Sequence, residues 1–331
     1  MRVLHVYRTY FPDPPGGLQE AIRQICFSTA DYGVESRVFT LSPSPEPVEI
    51  ERPEARVIRC RSWAAPASCD LGGIVSFKNF SKLEKYAPLM HRMLSKMDAI
   101  VATSAAYAQT SPILADTAVR EWVRVIPLGI DERSYPQAGD EDILQRLSLD
   151  DGEPFFLFIG VLRYYKGLHT LLQAAADTNA KVVIAGTGPE MVALKEQKRK
   201  LSLKNVLFAG QVSDTEKVTL LKHCRALLLP SHLRSEAYGM VLVEAAMFGK
   251  PMVSCEIGTG TSFVNTDNET GIVVPPENPI ELAQAMNWLL ENNALMQRFG
   301  SAARGRYELM FSGAALGQAY VDLYRDVMRQ H

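Results

Sequence analysis

Two carboxylates, Glu236 and Glu244, stand with seven residues between them in the stretch PSHLRSEAYGMVLVEAAMFGKP, residues 230–251. The apolar run at 226–229 predicts a short strand that Pro230 ends, and 231–238 predict a polar loop carrying Arg234 and Glu236. From Met240 the apolar positions fall at helical spacing, and Gly249 with Pro251 marks the stop. The first carboxylate therefore belongs to the loop and the second to about the first turn of the helix, so both can face one ligand. Gly239 opens that helix, and unpaired N–H groups at a helix start favour an anion. A phosphate-bearing ligand is the guest this chemistry suits. Taken alone, two glutamates at this spacing read equally well as a solvated helix face.

The elements that must position these residues form an alternating series. Strands are expected at 155–159, 182–185, 206–209, 226–229, 252–255 and 272–274, with helical segments between, the pattern of a parallel doubly wound sheet. Ligands of such sheets bind beyond the carboxyl ends of the strands. GVLRYYKG, GTGPE, GQVSD, SHLRSEAYG and EIGTGTS occupy those ends in turn. Among them Arg163 and Lys166 suit a diphosphate, because a fixed cation stabilises the charge of a departing phosphate; the plainer reading is a solvated turn. Gly186 and Gly188 match half of a dinucleotide fingerprint. They are read as room for a nucleotide to pass, with Gln211 and Val212 at the base through backbone contacts. Asp140 and Asp142 formally make an Asp-x-Asp metal motif, but they lie where a helix should start, and acidic residues favour helix starts. No metal site is expected. His5 and His232, near predicted strand ends, read as structural.

The first half opens with an apolar strand at 2–7, the loop RTYFPDPPGG and a helix at 18–32 closed by Gly33. Gly16 and Gly17 let a backbone approach a phosphate or sugar, or else serve a tight turn. Further strands are expected at 36–41, 56–60, 99–103 and 123–127. Between 61 and 98 only a polar loop (62–76) and a helix (81–96) can be read, a long interval for a parallel sheet. The expected division is an N-terminal domain, 1–135, lacking strands near 80; a linker, 136–153; a C-terminal domain, 154–311; and a terminal helix, 312–331.

A length of 331 residues suits two domains with a core each. A net charge of -2 gives no reason to expect a nucleic-acid partner. Met1 leads into a strand without a signal-peptide pattern, and no apolar run nears ~20 residues, so a cytoplasmic location is expected. Five cysteines, Cys26, Cys60, Cys69, Cys224 and Cys255, are odd in number and widely spaced, which predicts buried reduced thiols. The KEQKRK run at 195–200 offers a lipid-facing basic patch or, more simply, a solvated helix face.

RYYKGLHTLL, PSHLRSEAYG and SCEIGTGTSF, with the paired glutamates, resemble glycosyltransferase family 4, retaining nucleotide-sugar enzymes of the GT-B fold. The likeness is greatest to bacterial mannosyltransferases of lipopolysaccharide O-antigen synthesis. It implies two doubly wound, Rossmann-like domains facing across a cleft, with a terminal helix crossing back to the first. It implies that Glu236 contacts the donor sugar and Glu244 the nucleotide ribose. Gly16 and Gly17 would lie against the donor diphosphate, and Ser235 and the N–H groups of Gly239, Met240 and Val241 would serve sugar or phosphate. Lys166 carries over directly, whereas the family's arginine position holds Val161 and Arg163 is a substitute by proximity. Glu236, Lys166 and Arg163 are thus the catalytic candidates.

The implied reaction moves mannose from GDP-mannose to a lipid-linked saccharide with retention, without metal or cofactor; a UDP-hexose is the alternative donor. Peripheral contact with the inner face of the plasma membrane follows from such an acceptor. Two strands of this family, one ending in a histidine-rich motif and one in His-Ser-Asp, have no counterpart here. Either they are lost or the sequence closes over a gap near Phe80, and KLEKYAPLMHRML and DAIVATSAAY match what should follow, favouring the gap. A true loss would favour a non-catalytic scaffold or regulatory subunit that keeps nucleotide-sugar binding. A nicotinamide-dependent oxidoreductase needs an acidic residue at the end of the strand after the glycines; that strand ends in Thr40 and Leu41.

Overall fold

The computed structural model describes residues 1–7, 9–13, 17–42, 44–61, 92–111, 113–114, 120–150 and 152–330. Gly16, the loop expected at 62–76 and most of the helix expected at 81–96 lie outside the described residues. The chain divides into two compact units. One comprises Met1–Ala102, Ser111–Asp131 and Gly313–His331; the other comprises Thr103–Thr110 and Glu132–Ser312.

In the first unit, β1 (Arg2–Tyr7), β2 (Glu35–Ser42), β3 (Glu49–Glu51) and β4 (Arg56–Arg61) make a sheet in the order β1-β2-β4-β3. β1, β2 and β4 are parallel, while β3 pairs antiparallel with β4. β3 was not expected: three residues, Glu-Ile-Glu, carry neither the length nor the apolar pattern that marks a strand. β5 (Ile100–Ala102) and β6 (Val123–Val125) form a separate parallel pair.

The helix Gly17–Ala30 packs on the last helix, Gly313–Arg329, through Ile25 and Leu316, with Ile126 completing the cluster. Gly317 permits the approach, since a methyl group there would meet the Ser28 carbonyl at 2.1 Å. The last helix therefore belongs to the first unit although its sequence follows the second.

The second unit holds six parallel strands in the order β12-β11-β10-β7-β8-β9. They are β7 (Phe155–Ile159), β8 (Lys181–Ala185), β9 (Val206–Gly210), β10 (Ala226–Leu229), β11 (Met252–Cys255) and β12 (Gly271–Val274). Every residue of β10 and β11 is buried, as a sheet covered on both faces demands, and their uninterrupted apolar letters made them legible. The strand order reverses between β7 and β10. That reversal is the switch point where connections diverge and the loops leave a crevice. The loops that follow these two neighbouring strands are the ones that carry Lys166 and Glu236.

Candidate functional site

The loop after β7 turns through a short 3-10 helix, Tyr164–Lys166, into the helix Leu168–Ala174. Gly167 joins them in the left-handed region, at φ 69°, and a methyl group there would stand 1.9 Å from the Pro230 carbonyl oxygen. Only glycine fits. The loop after β10 crosses at this point, and the His232 N–H donates to the Tyr165 carbonyl at 3.0 Å. Backbone thus locks to backbone directly behind Lys166.

This crossing brings Lys166 Nζ into an ion pair with Glu236 Oε2. Ser231 Oγ donates to the same carboxylate oxygen at 3.1 Å, and Thr259 Oγ1 donates to the Glu236 carbonyl at 2.8 Å. Glu236 is buried, 8% exposed. The ammonium also lies 5.3 Å from the Tyr165 ring centroid. Burial works against the charge on Lys166, but the Glu236 carboxylate outweighs it and holds the lysine pKa above its ordinary value; Arg163 nearby pulls the other way. Arg163 is half-buried at the start of the same turn. Two of the three catalytic candidates therefore touch, and the third is close enough for its charge to be felt.

Glu244 lies one turn into the helix Met240–Met247, as its position implied. It does not join the Lys166–Glu236 pair. Its Oε1 accepts from Lys217 Nζ at 3.1 Å and from the Tyr135 hydroxyl, and Lys217 lies 4.7 Å from the Tyr135 ring centroid. Burial disfavours the Lys217 charge, yet the Glu244 and Asp214 carboxylates together raise its pKa. The helix Asp214–His223 that carries Lys217 is anchored by a capping box between Ser213 and Glu216. Neither Lys217 nor Tyr135 was singled out in the sequence, where one looks like a solvated helix face and the other like linker.

Gly239, in a left-handed conformation, precedes the helix Met240–Met247, and among the described residues no side chain caps its start. Its first N–H groups, near half-buried Met240 and Val241, keep the polarity that suits an anion. Ser235 is exposed. Arg234 is pinned away from the carboxylates, donating to the Gly258 carbonyl and to Thr110 Oγ1, each at 2.8 Å.

Gly186 and Gly188, expected to leave room for a nucleotide, also lie hard against backbone. A methyl group at Gly186 would lie 2.0 Å from the Gly160 carbonyl oxygen, and one at Gly188 would lie 2.5 Å from that of Leu162. These glycines let the loops after β7 and β8 touch. Gln211 is exposed and accepts a weak hydrogen bond from Thr187 Oγ1 at 3.4 Å, and Val212 is half-buried. Gly17 is the first residue of its helix, and an added methyl would meet nothing within 4 Å. Asp140 Oδ1 accepts from the Asp142 N–H at 3.1 Å just ahead of the helix Asp142–Arg146, whose N-cap position is Glu141.

Residues 139–306 match the family described as "Glycosyl transferases group 1". The chain is 39% identical to D-rhamnosyltransferase WbpZ of Pseudomonas aeruginosa, over 94% of this chain and 92% of that protein. It is 35% identical to O-antigen chain mannosyltransferase C of Escherichia coli, over 99% of both. That second alignment runs over 373 positions against the 331 residues here, so part of that relative's interior faces no residue of this chain. Among solved structures, Anabaena Alr3699/HepE in complex with UDP and glucose superposes with a TM-score of 0.78 over 98% of this chain and all of that one, at 19% identity.

Proposed function

The chain belongs to the group 1 glycosyl transferases and has the GT-B fold, and from that premise we propose that it transfers mannose from GDP-mannose to a hydroxyl of a lipid-linked saccharide in lipopolysaccharide O-antigen synthesis. The observation that carries this reading is the Lys166–Glu236 ion pair, set on adjacent loops at the switch point of the second unit's sheet. The names of the two relatives support the sugar. D-Rhamnose is 6-deoxymannose, so a site for either must accept the manno configuration.

A departing nucleoside diphosphate gains negative charge while the sugar becomes oxocarbenium-like, and fixed cations and helix N–H groups stabilise that separation without rearranging. A bound diphosphate competes with Glu236 for Lys166, and Arg163 adds a second cation to the same turn. Released from the ammonium, the Glu236 carboxylate accepts from a hydroxyl of the donor sugar and stabilises its positive charge. Glu244, held by Lys217 and Tyr135, meets the ribose. The α configuration is retained through replacement on the face that the diphosphate leaves, with no metal in the step. Peripheral membrane contact follows from the acceptor; among the described residues no helix is long and apolar enough to cross a membrane.

Transfer assays and saturation-transfer NMR with GDP-mannose, GDP-D-rhamnose and UDP-glucose test the donor. GDP-mannose is expected to give both signal and turnover, and a response to UDP-glucose alone would overturn the reading. A second reading is favoured by the relative's unmatched interior positions: a protein that binds the nucleotide sugar but transfers nothing. Saturable GDP-mannose binding, with no turnover on any lipid-linked acceptor, would support it instead.

A further inference from the structure

Among the described residues, His169, His232 and Glu277 each bring one ligand atom to within 4.8 Å of the other two. They come from three separate places: the first turn of the helix Leu168–Ala174, the residue beyond Ser231 after β10, and the turn after β12. The rings of His169 and His232 meet edge to face at 5.1 Å between centroids. Tyr164 completes the cluster, stacked on His169 at 5.3 Å and edge-on to His232 at 4.9 Å. Aromatic packing accounts for the rings, and the Tyr165 carbonyl draws weakly on the His232 imidazole, without a hydrogen bond of ordinary geometry. His232 is 8% exposed, and its Nδ1 is buried with no hydrogen-bond partner. Buried imidazole nitrogens are nearly always satisfied by a donor, an acceptor or a metal.

We propose that His169, His232 and Glu277 form a binding site for a divalent transition-metal ion of the zinc type. Two imidazoles and a carboxylate are a donor set such ions take, with a fourth position left to water. Ligand atoms up to 4.8 Å apart must close by rotation of side chains, and half-buried His169 and exposed Glu277 have the freedom to do so. Magnesium and calcium prefer all-oxygen shells and do not suit the pair of imidazoles. The ion would fasten the helix after Lys166 to the loop before Glu236, at the crossing already made by Gly167 and His232. It binds beside the transfer machinery and takes no part in the proposed step.

The test uses the full-length protein freed of any polyhistidine tag and titrated with Zn²⁺ alone against a chromophoric chelator. One equivalent is expected to bind, to raise the thermal midpoint, and to be replaceable by Co²⁺ with ligand-field absorption characteristic of tetrahedral or five-coordinate cobalt. His169→Asn should weaken binding by at least about tenfold, the lower end of what is lost even from a supporting shell, and should abolish the thermal shift; His232→Asn should do the same. His169 is the more exposed of the two, so its variant keeps the test informative if His232→Asn fails to fold. Less than one equivalent bound by the parent protein, or equal affinity in the parent and His169→Asn, would overturn the site.

Discussion

Lys217 Nζ stands 3.1 Å from Glu244 Oε1, and the hydroxyl of Tyr135 meets the same oxygen. The three side chains come from the helix after β9, the helix after β10 and the segment that follows Asp131, and both charged partners are more than four-fifths buried. A carboxylate so held has one orientation to offer a ligand. Tyr135→Phe removes one of the two donors at that oxygen, together with the 3.5 Å contact by which the same hydroxyl accepts from Lys217 Nζ. It is expected to weaken GDP binding by about 2–10-fold, the worth of one hydrogen bond, with kcat unchanged. Calorimetry on the variant checks it; unchanged affinity would separate Glu244 from the nucleotide.

Glu236→Ala is expected to abolish transfer while the fold survives, by a factor of at least about 100 in kcat, the usual loss when a charge-stabilising group is removed. Turnover near the parent rate would remove Glu236 from the mechanism.

Lys166→Ala differs, because it leaves a buried carboxylate without its cation. A stability loss approaching about 3–5 kcal/mol is expected, moderated by the Ser231 hydrogen bond and by access to solvent. GDP affinity should fall about 10–100-fold with the lost charge-assisted bonds. In Lys166→Met/Glu236→Gln the stability should return and the affinity should not. Urea unfolding and calorimetry distinguish the two effects.

Burial pushes the thiols of Cys26, Cys224 and Cys255 up to about 12 from an ordinary 9.0. A folded-state value above the unfolded one means that the contribution to stability is whole below pH 9 and drains away as pH rises towards 12. Each thiol removes about 1.4 kcal/mol per pH unit in that window. The urea midpoint should therefore fall steeply above pH 9, and these three cysteines should resist alkylation near neutrality until the chain unfolds. Rapid alkylation of any of them in the native protein would contradict their burial.

Treatment with EDTA is expected to leave transfer intact while lowering the thermal midpoint of zinc-loaded protein. Transfer that stops in EDTA and returns with manganese would bring Asp140 and Asp142 back as metal ligands.

The second unit was legible because β7, β8, β10 and β11 are almost continuous apolar runs, each followed by a polar, glycine-bearing turn. Pairing Lys166 with Glu236 could be anticipated from loops that share one end of a sheet, since strand topology converts sequence order into neighbourhood. The companions of Glu244 could not. Lys217 looks like any lysine on a helix, and only the tertiary packing that buries it shows otherwise. Gly186 and Gly188 announce in the letters that space is needed, but only the fold shows that the loop after β7 stands against both of them. His232 was read as structural because one histidine near a strand end has no partner in its own sequence, and His169 and Glu277 lie 63 and 45 positions away.

The missing side chain of Gly167 has a consequence for exchange between relatives. The segment around it meets the one around Pro230 backbone to backbone, so a grafted stretch is tolerated here only if it brings glycine to this place. A chimera built to alter donor choice can vary the neighbouring side chains freely but must keep this one letter.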